Sequence, residues 1–528
     1  MTAEGEAAGP VESLRELGQS AAILAVAAGF GQVFSVAREL FVASQVGASP
    51  ELDGLLVALV APTMFAGLLA SGAAAALAPT YAELEARDGR DAALTFVGAI
   101  VSWIGVLGAG LVILLVALAP LVVSIAGPGL DAAGRATALG YVPVVAPILV
   151  LTAIAGMVTV VLQLERRFWA VGIAWLAGPL VSTIVTFALW GQLRLTAFAI
   201  ALLLNAAITL GVLVIALVRT GLVPRPTLRI SRGESTGFVR HATPLTASAF
   251  VLQFNLLADR AIGSLLSVGA VSLLRFGENV VKLPLNTIGP AWSQVVYPSL
   301  VRSSQSELGA RMGEAAHRQM RYVIALFLPV SVATAALAPL ITRVAYERGA
   351  FDEADTQGTA GVLAGFAALI VLTMIQAILV GAHNSRRRGL LLMTMGFANA
   401  VLNLIFNVVF GTLLGAAGIA LSSSATLAIV LAVMGWRLDR EETGFDGAGL
   451  VSVLARVTLA SGIVAAPVAA VAWLAPAQPL VVSIGLLVLL TLAGAAGYVV
   501  VASHLGLAEP AHVIRNSWGT LARRVRPA

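Results

Sequence analysis

Apolar runs of about 20 residues, separated by short polar segments, follow one another along most of the chain. A helix needs about 20 apolar residues to cross the roughly 30 Å of hydrocarbon in a bilayer. On this criterion the sequence predicts about fourteen transmembrane helices, and therefore an all-α polytopic membrane protein. Their approximate ranges are 21–46, 52–79, 94–121, 136–164, 169–190, 196–218, 242–267, 270–299, 322–345, 358–382, 389–413, 415–437, 450–475 and 479–504.

Two stretches of the chain repeat one another. Residues 38–71 align with residues 260–293 at a constant offset, which places Arg38 on Arg260 and Gly47 on Gly269. Both copies begin in an odd-numbered span, so the two halves share one orientation in the membrane. We therefore predict two six-helix lobes in a parallel pseudo-twofold repeat, followed by two extra C-terminal helices.

The repeat also predicts the order of domains. These are a cytoplasmic tail (1–20), an N-lobe (21–218), a basic cytoplasmic linker (219–241), a C-lobe (242–438), a C-terminal helix pair (450–504) and a basic cytoplasmic tail (505–528).

Composition narrows the class of protein. The chain is 59% hydrophobic and only 11% charged, whereas soluble globular proteins carry about 25% charged residues. It has no cysteine, so disulfides, thiolate catalysis and Cys-ligated metals are excluded. It has no P-loop and no Gly-x-Ser-x-Gly sequence. We expect a transporter without a cofactor or metal, and not an enzyme.

The net charge of +5 comes mostly from arginines in alternate loops between the apolar runs. Loops that keep such cations lie on the cytoplasmic side of a membrane. This distribution predicts a bacterial cytoplasmic membrane protein with both termini in the cytoplasm. Because no basic domain stands out, nucleic acid is not an expected partner.

Charged residues also lie inside the predicted spans. In span eight Arg275, Glu278, Lys282 and Asn286 are spaced by three or four residues, so they share one face of a helix. Exposing a charge to lipid costs about 3 to more than 10 kcal/mol, depending on the method. We predict that this face lines a polar cavity. The alternative is a neutralised ion pair that only ties helices together.

Other charged residues belong to spans one, two and seven. The pair Asp259 and Arg260 lies in span seven, Arg38 and Glu39 lie in span one, and Asp53 opens span two. Arginine and lysine in a cavity suit an anionic, phosphate-bearing ligand. The predicted substrate-binding residues are Arg38, Arg260, Arg275, Lys282 and Asn286. The predicted counterions or coupling residues are Glu39, Asp53, Asp259 and Glu278.

Several longer segments resemble one transporter family. The segments VARELFVASQVGASPELDGLLVALVAP, RVAYERGAFDEADT and NAVLNLIFNVVF are similar to sequences of the MviN/MurJ family of lipid-linked precursor flippases. This family lies in a superfamily with multidrug and polysaccharide exporters. The resemblance identifies Arg38 with the arginine of the family's first helix and Asp53 with the aspartate that opens the second.

The resemblance implies alternating access around a central cavity. It also implies a groove at the two C-terminal helices for a lipid tail, and lipid II, an undecaprenyl pyrophosphate glycan, as cargo. Membrane lipids and cell-wall synthesis enzymes would be partners. Coupling to membrane potential or to a monovalent cation stays open.

The chain also departs from the family pattern. Gln32 stands where the family has an earlier arginine, the stretch Val60-Ala61-Pro62-Thr63 lacks a cation, and an acidic-basic pair reads Glu278-Asn279. These departures keep a second cargo open, namely another undecaprenyl-linked oligosaccharide such as a capsule or exopolysaccharide unit. An ion-coupled drug exporter and a non-transporting scaffold are further alternatives.

Overall fold

The computed structural model describes residues 10–229, 232–285, 311–386, 388–474 and 478–507. All regular structure in these ranges is helical. The first nine helices are α1 (Pro10–Val46), α2 (Pro50–Asp88), α3 (Arg90–Ala117), α4 (Ala119–Ala126), α5 (Ala132–Val145), α6 (Ile148–Leu164), α7 (Phe168–Leu193), α8 (Leu195–Arg219) and α9 (Arg232–Leu266). Helix α10 is described over residues 270–285. The others are α11 (Arg311–Ala336), α12 (Ala338–Tyr346), α13 (Glu353–Phe366), α14 (Leu369–Ser385), α15 (Gly389–Leu414), α16 (Ala416–Glu441), α17 (Gly447–Leu474) and α18 (Leu480–His504).

Many of these helices can cross a membrane. Within the described ranges, eleven helical segments are long and apolar enough, one of them formed by α13 together with α14. Helices α5 and α6, which meet at a 42° bend, make a possible twelfth. Helices α9 and α10 fall on the predicted spans 242–267 and 270–299, but the second span continues beyond the described residues. The prediction of an all-α polytopic membrane protein is confirmed. The number fourteen stays a prediction.

The internal repeat is visible helix by helix. Helices α3 to α8 contain 28, 8, 14, 17, 26 and 25 residues. Helices α11 to α16 contain 26, 9, 14, 17, 26 and 26 residues in the same order. The six pairs of lengths agree within two residues, which supports the predicted internal repeat.

Backbone details repeat as well. The turn between α7 and α8 has Arg194 at φ 47° and ψ −125°, and the turn between α15 and α16 has Gly415 at φ 63° and ψ −144°. Asp131 caps α5 by accepting the Gly134 N–H, as Asp352 caps α13 by accepting the Asp355 N–H. The glycines of the two Val-Gly-Ala turns, Gly47 and Gly269, both have positive φ, which glycine adopts without steric cost.

Four predicted spans, 94–121, 136–164, 322–345 and 358–382, are each divided into two helices. Span 94–121 breaks at Leu118 between α3 and α4, and span 322–345 breaks at Leu337 between α11 and α12. Both short helices have a proline in their first turn, Pro120 and Pro339, where its missing N–H is not needed. Hydropathy does not register such breaks because the residues on both sides are apolar.

The chain divides into two compact units. Unit 1 contains residues up to Val42 and Pro50–Ala261, and unit 2 contains Ala43–Ser49 and the chain from Ile262 onward. Helix α9 begins at Arg232, inside the predicted linker 219–241, and most of it belongs to unit 1. Each unit has its own apolar core, built around residues such as Tyr81 and Met157 in unit 1 and Phe366 and Tyr498 in unit 2.

Candidate functional site

Arg38 is buried within unit 1, with only 4% of its surface exposed. Its Nη1 donates a hydrogen bond to the Ser182 hydroxyl on α7, and its Cζ lies 5.5 Å from the centre of the Phe198 ring on α8. A guanidinium can take both contacts because it is planar and donates in fixed directions. Arg38 therefore ties α1 to α7 and α8.

The other predicted residues of unit 1 are also shielded. Glu39, Asp53 and Arg260 are buried, and Asp259 is half-buried. They come from three helices, α1, α2 and α9. Carrying both signs of charge inside an apolar unit reduces the cost of burying either one. These residues thus have the environment expected of buried charges in a membrane protein.

Helix α10, in unit 2, carries the more accessible charges. The Lys282 Nζ lies 2.7 Å from Glu278 Oε1, one helical turn away, and the two side chains are 43% and 21% exposed. Arg275 is half-buried on the same helix. The spacing predicted from sequence therefore does place the acidic and basic groups on one face. Asn286, the last predicted member of this stripe, lies outside the described residues.

A buried polar ladder joins α15 to α16 in unit 2. Asn407 Nδ2 donates to Asn403 Oδ1 at 3.1 Å, and Asn403 Nδ2 donates to Ser423 Oγ at 3.3 Å. The Ser422 hydroxyl donates to Asn407 Oδ1. These groups are neutral and satisfy one another, as buried polar groups must in a membrane protein.

An apolar cavity of about 410 Å³ lies between α11, α12, α17 and α18. Its wall consists mainly of Ala, Val, Leu and Ile side chains. The few polar members include Ser461 and Tyr498, and the Tyr498 hydroxyl already donates to the Ala325 carbonyl at 2.7 Å. Such a lining suits a hydrocarbon chain and not a charged group.

Sequence comparison now decides the family. The family model for the lipid II flippase MurJ matches residues 42–491, which is most of the chain. This chain belongs to the MurJ family. The MurJ match covers Asp53, the charged face of α10, the polar ladder and most of the cavity between α11 and α18. Arg38 lies just before it.

Curated MurJ relatives also align with most of this chain. The chain is 28% identical over 366 residues to a probable lipid II flippase MurJ of Rhizobium tropici, covering 65% of this chain and 67% of the relative. It is 27% identical over 476 residues to the corresponding protein of Rhizobium meliloti strain 1021, covering 84% of this chain and 85% of the relative.

Solved structures support the same fold. A lipid II flippase MurJ in an inward closed conformation aligns with a TM-score of 0.75 and 17% identity, covering 91% of this chain and 98% of that one. An inward-facing multidrug resistance MATE transporter aligns with a TM-score of 0.66 and 15% identity, covering 78% and 95%. At these identities the structural likeness shows the fold only, and the fold is shared by MurJ and multidrug transporters.

Sequence reasoning missed two kinds of polar contact. Ser182, the partner of Arg38, is inconspicuous in sequence; it occupies the position in α7 that Asn403 of the ladder occupies in α15. The ion pair of Arg90 with Glu165 was also missed because both residues lie near helix ends in arginine-rich loops. The repeat offset gave no signal for Ser182, because the constant offset that places Arg38 on Arg260 places Ser182 on Leu404.

Proposed function

We propose that this protein translocates lipid II across the cytoplasmic membrane by alternating access. The observation that carries this proposal is the family match over residues 42–491, which distinguishes MurJ from multidrug transporters of the same fold. Its relatives carry the name lipid II flippase. The N- and C-terminal lobes would expose the cargo site first to the cytoplasm and then to the opposite side. Both termini would lie in the cytoplasm.

The pyrophosphate of the cargo would bind the predicted cations. Lys282 and Arg275 are the most accessible of them, and Lys282 is the only lysine in the sequence. We propose that phosphate oxygens compete with Glu278 for the ammonium of Lys282. Arg38 and Arg260 would attract the same anion from inside the protein, and Asn286 would contribute a neutral donor. Glu39, Asp53 and Asp259 would act as counterions.

The prenyl chain would occupy the apolar cavity bounded by α11, α12, α17 and α18. Its lining matches a hydrocarbon in polarity, and burial of each CH₂ contributes about 0.8 kcal/mol. A ligand drives a conformational change only through its different affinities for the two states. Membrane potential or a monovalent cation could add to that difference, since one charge moved across 100 mV is worth about 2.3 kcal/mol.

Complementation tests the proposal. The chain is expressed in bacteria depleted of their own lipid II flippase, and survival is followed. We expect rescue by the wild type and failure of Lys282→Gln at equal membrane abundance. Arg135→Gln, which removes an exposed arginine elsewhere, is the matched control and should rescue.

A double variant separates binding from simple ion pairing. Lys282→Gln removes the ion pair between Lys282 and Glu278 but keeps the carboxylate, and Lys282→Gln with Glu278→Gln removes both charges. If the ammonium binds cargo, the double variant also fails. Rescue by the double variant would show that Lys282 only neutralises Glu278, and would contradict its proposed role.

A second candidate cargo is another undecaprenyl-linked oligosaccharide. The absence of family cations at Gln32 and in Val60–Thr63 favours it. In that case the wild type reaches the membrane at normal levels, yet the depleted cells still lyse. Rescue of a strain that lacks a capsule or exopolysaccharide flippase would then establish the alternative.

A further inference from the structure

The segment between α8 and α9 is held along the surface of α3 in unit 1. Leu222 is buried in the same core as Phe96 and Phe238, and the Trp103 indole N–H donates to the Leu228 carbonyl at 3.2 Å. A Cβ atom added at Gly98 would lie 2.8 Å from the carbonyl carbon of Arg225. We call residues 222–229 the strap. Its backbone is fixed at three points.

Four arginines surround the strap. Arg225 and Arg229 lie on it, Arg219 ends α8, and Arg240 lies on α9; all four are exposed. None of them forms an ion pair with a residue in the described ranges. Among the side chains that the structure describes, this region is therefore a positive surface without an internal ion pair, which favours an anionic partner.

Exposed apolar side chains alternate with these arginines. Val218, Val223, Leu228, Val239 and the Trp103 ring all face outward. The strap begins where α8, a candidate membrane span, ends, and it runs along α3, another candidate span. Tryptophan and arginine beside apolar side chains are typical of the boundary between hydrocarbon and lipid headgroups.

We propose that the strap is a binding site for anionic phospholipids of the leaflet at this end of α8. The guanidinium groups of Arg225 and Arg229 would bind the lipid phosphate, and Val223 and Leu228 would contact the acyl chains. A soluble acidic protein or a nucleic acid would leave those apolar side chains without a partner. This lipid site contains none of the predicted cargo-binding residues. Binding of anionic phospholipid there would be a property of the protein in addition to cargo transport.

Native mass spectrometry of the full-length protein with phosphatidylglycerol tests this site. Each arginine near an anionic lipid surface contributes about a fivefold change in affinity. We expect Arg225→Gln with Arg229→Gln to weaken binding of the first phosphatidylglycerol by about 25-fold. The matched control, Arg135→Gln with Arg194→Gln, removes two exposed arginines elsewhere and should change it less than twofold. Equal weakening by both pairs, or none by the first, would overturn the proposal.

Two more measurements sharpen the test. Trp103→Phe removes the hydrogen bond to the strap but keeps a ring, and should weaken binding by about threefold; Trp169→Phe, at another exposed tryptophan, should not. Binding of undecaprenyl pyrophosphate to the strap double variant should match the wild type. Parallel loss of both lipids would make the strap part of the cargo path and contradict a separate site.

Discussion

The two units are built from corresponding series of helices, but they carry opposite charges at an equivalent turn. Glu165 follows α6 in unit 1, and Arg386 follows α14 in unit 2. Glu165 accepts hydrogen bonds from Arg90 and from the Tyr81 hydroxyl, the latter at 2.5 Å. Arg386 instead donates to Glu442, beyond α16, at 2.5 Å. The backbone therefore repeats while the side-chain partners come from different helices.

This difference shows how a repeated fold can diverge in chemistry. A shielded charge at the end of a helix is stabilised by a partner of opposite charge, and a nearby helix end can supply that partner. The polar positions between the paired long helices diverge in the same way. Ser182 and Thr186 of α7 correspond to Asn403 and Asn407 of α15, yet among the described residues only those of α15 and α16 form a ladder of neutral side chains.

The largest expected difference in stability between equivalent substitutions in the two units lies at the first turn of α16. Gly418 of unit 2 corresponds to Ala197 of unit 1, and a Cβ at Gly418 would collide with the Phe410 carbonyl and lie 2.9 Å from the Gly411 nitrogen. We expect Gly418→Ala to destabilise the protein by about 3 kcal/mol because backbone must move. Ala197→Gly should cost about 1 kcal/mol. Heating each variant and following the loss of monodisperse protein measures both changes in stability. Equal losses of stability for Gly418→Ala and Ala197→Gly would contradict the expected difference.

The second largest difference in stability is expected at the charged turns that follow α6 and α14. Glu165→Gln weakens the pairing with the partly exposed Arg90 and the hydrogen bond of the buried Tyr81, so we expect a loss of about 2 kcal/mol. Arg386→Gln should cost less, because Arg388 Nη2 also lies 3.4 Å from Glu442 Oε1. The same heating assay ranks the two variants. A larger loss for Arg386→Gln would show that Arg388 gives no compensation.

A smaller difference in stability is expected between the polar ladder of unit 2 and the equivalent position of unit 1. Asn407→Ala leaves the buried Asn403 and Ser422 groups with fewer partners, and we expect a loss of about 1.5 kcal/mol. Within the part of the chain that the structure describes, the Thr186 hydroxyl bonds only to the Ser182 carbonyl of its own helix, so Thr186→Ala should cost about 0.5 kcal/mol or less. Similar melting of the two variants would argue against a stabilising ladder.

The smallest effect is expected at the turn before α8. Arg194 adopts a backbone conformation that glycine adopts at Gly415, so Arg194→Gly should stabilise the protein by about 0.5 to 1 kcal/mol. Gly415→Ala should destabilise it by a similar amount. A stability decrease for Arg194→Gly would mean that the arginine side chain outweighs its backbone strain.

The sequence predicted the helical class and the repeat because both depend on local periodicity. Apolar length identifies spans, and the constant offset from Arg38 to Arg260 relates the two halves. It did not predict the breaks at Leu118 and Leu337, since hydropathy is unchanged across them. Pro120 and Pro339 were the available signals, and they recur in the two halves.

The candidate site was predictable only in part. The spacing of Glu278 and Lys282 was enough to place them one turn apart. Burial of Arg38 against Ser182 and Phe198 could not be predicted, because it depends on α7 and α8, which lie far away in sequence. The ladder of Asn403 and Asn407 was visible as a family-like segment, but its partner Ser422 depends on how α15 packs against α16.

Translocation by purified protein tests the central claim most directly. The protein is reconstituted into liposomes containing fluorescent lipid II, and the fraction of label accessible to external dithionite is followed. We predict that wild-type protein exposes label from the inner leaflet. Liposomes containing the Lys282→Gln and Glu278→Gln double variant should lose only the outer-leaflet signal. Wild-type traces identical to protein-free liposomes, under conditions where another undecaprenyl-linked glycan is flipped, would contradict lipid II as the cargo.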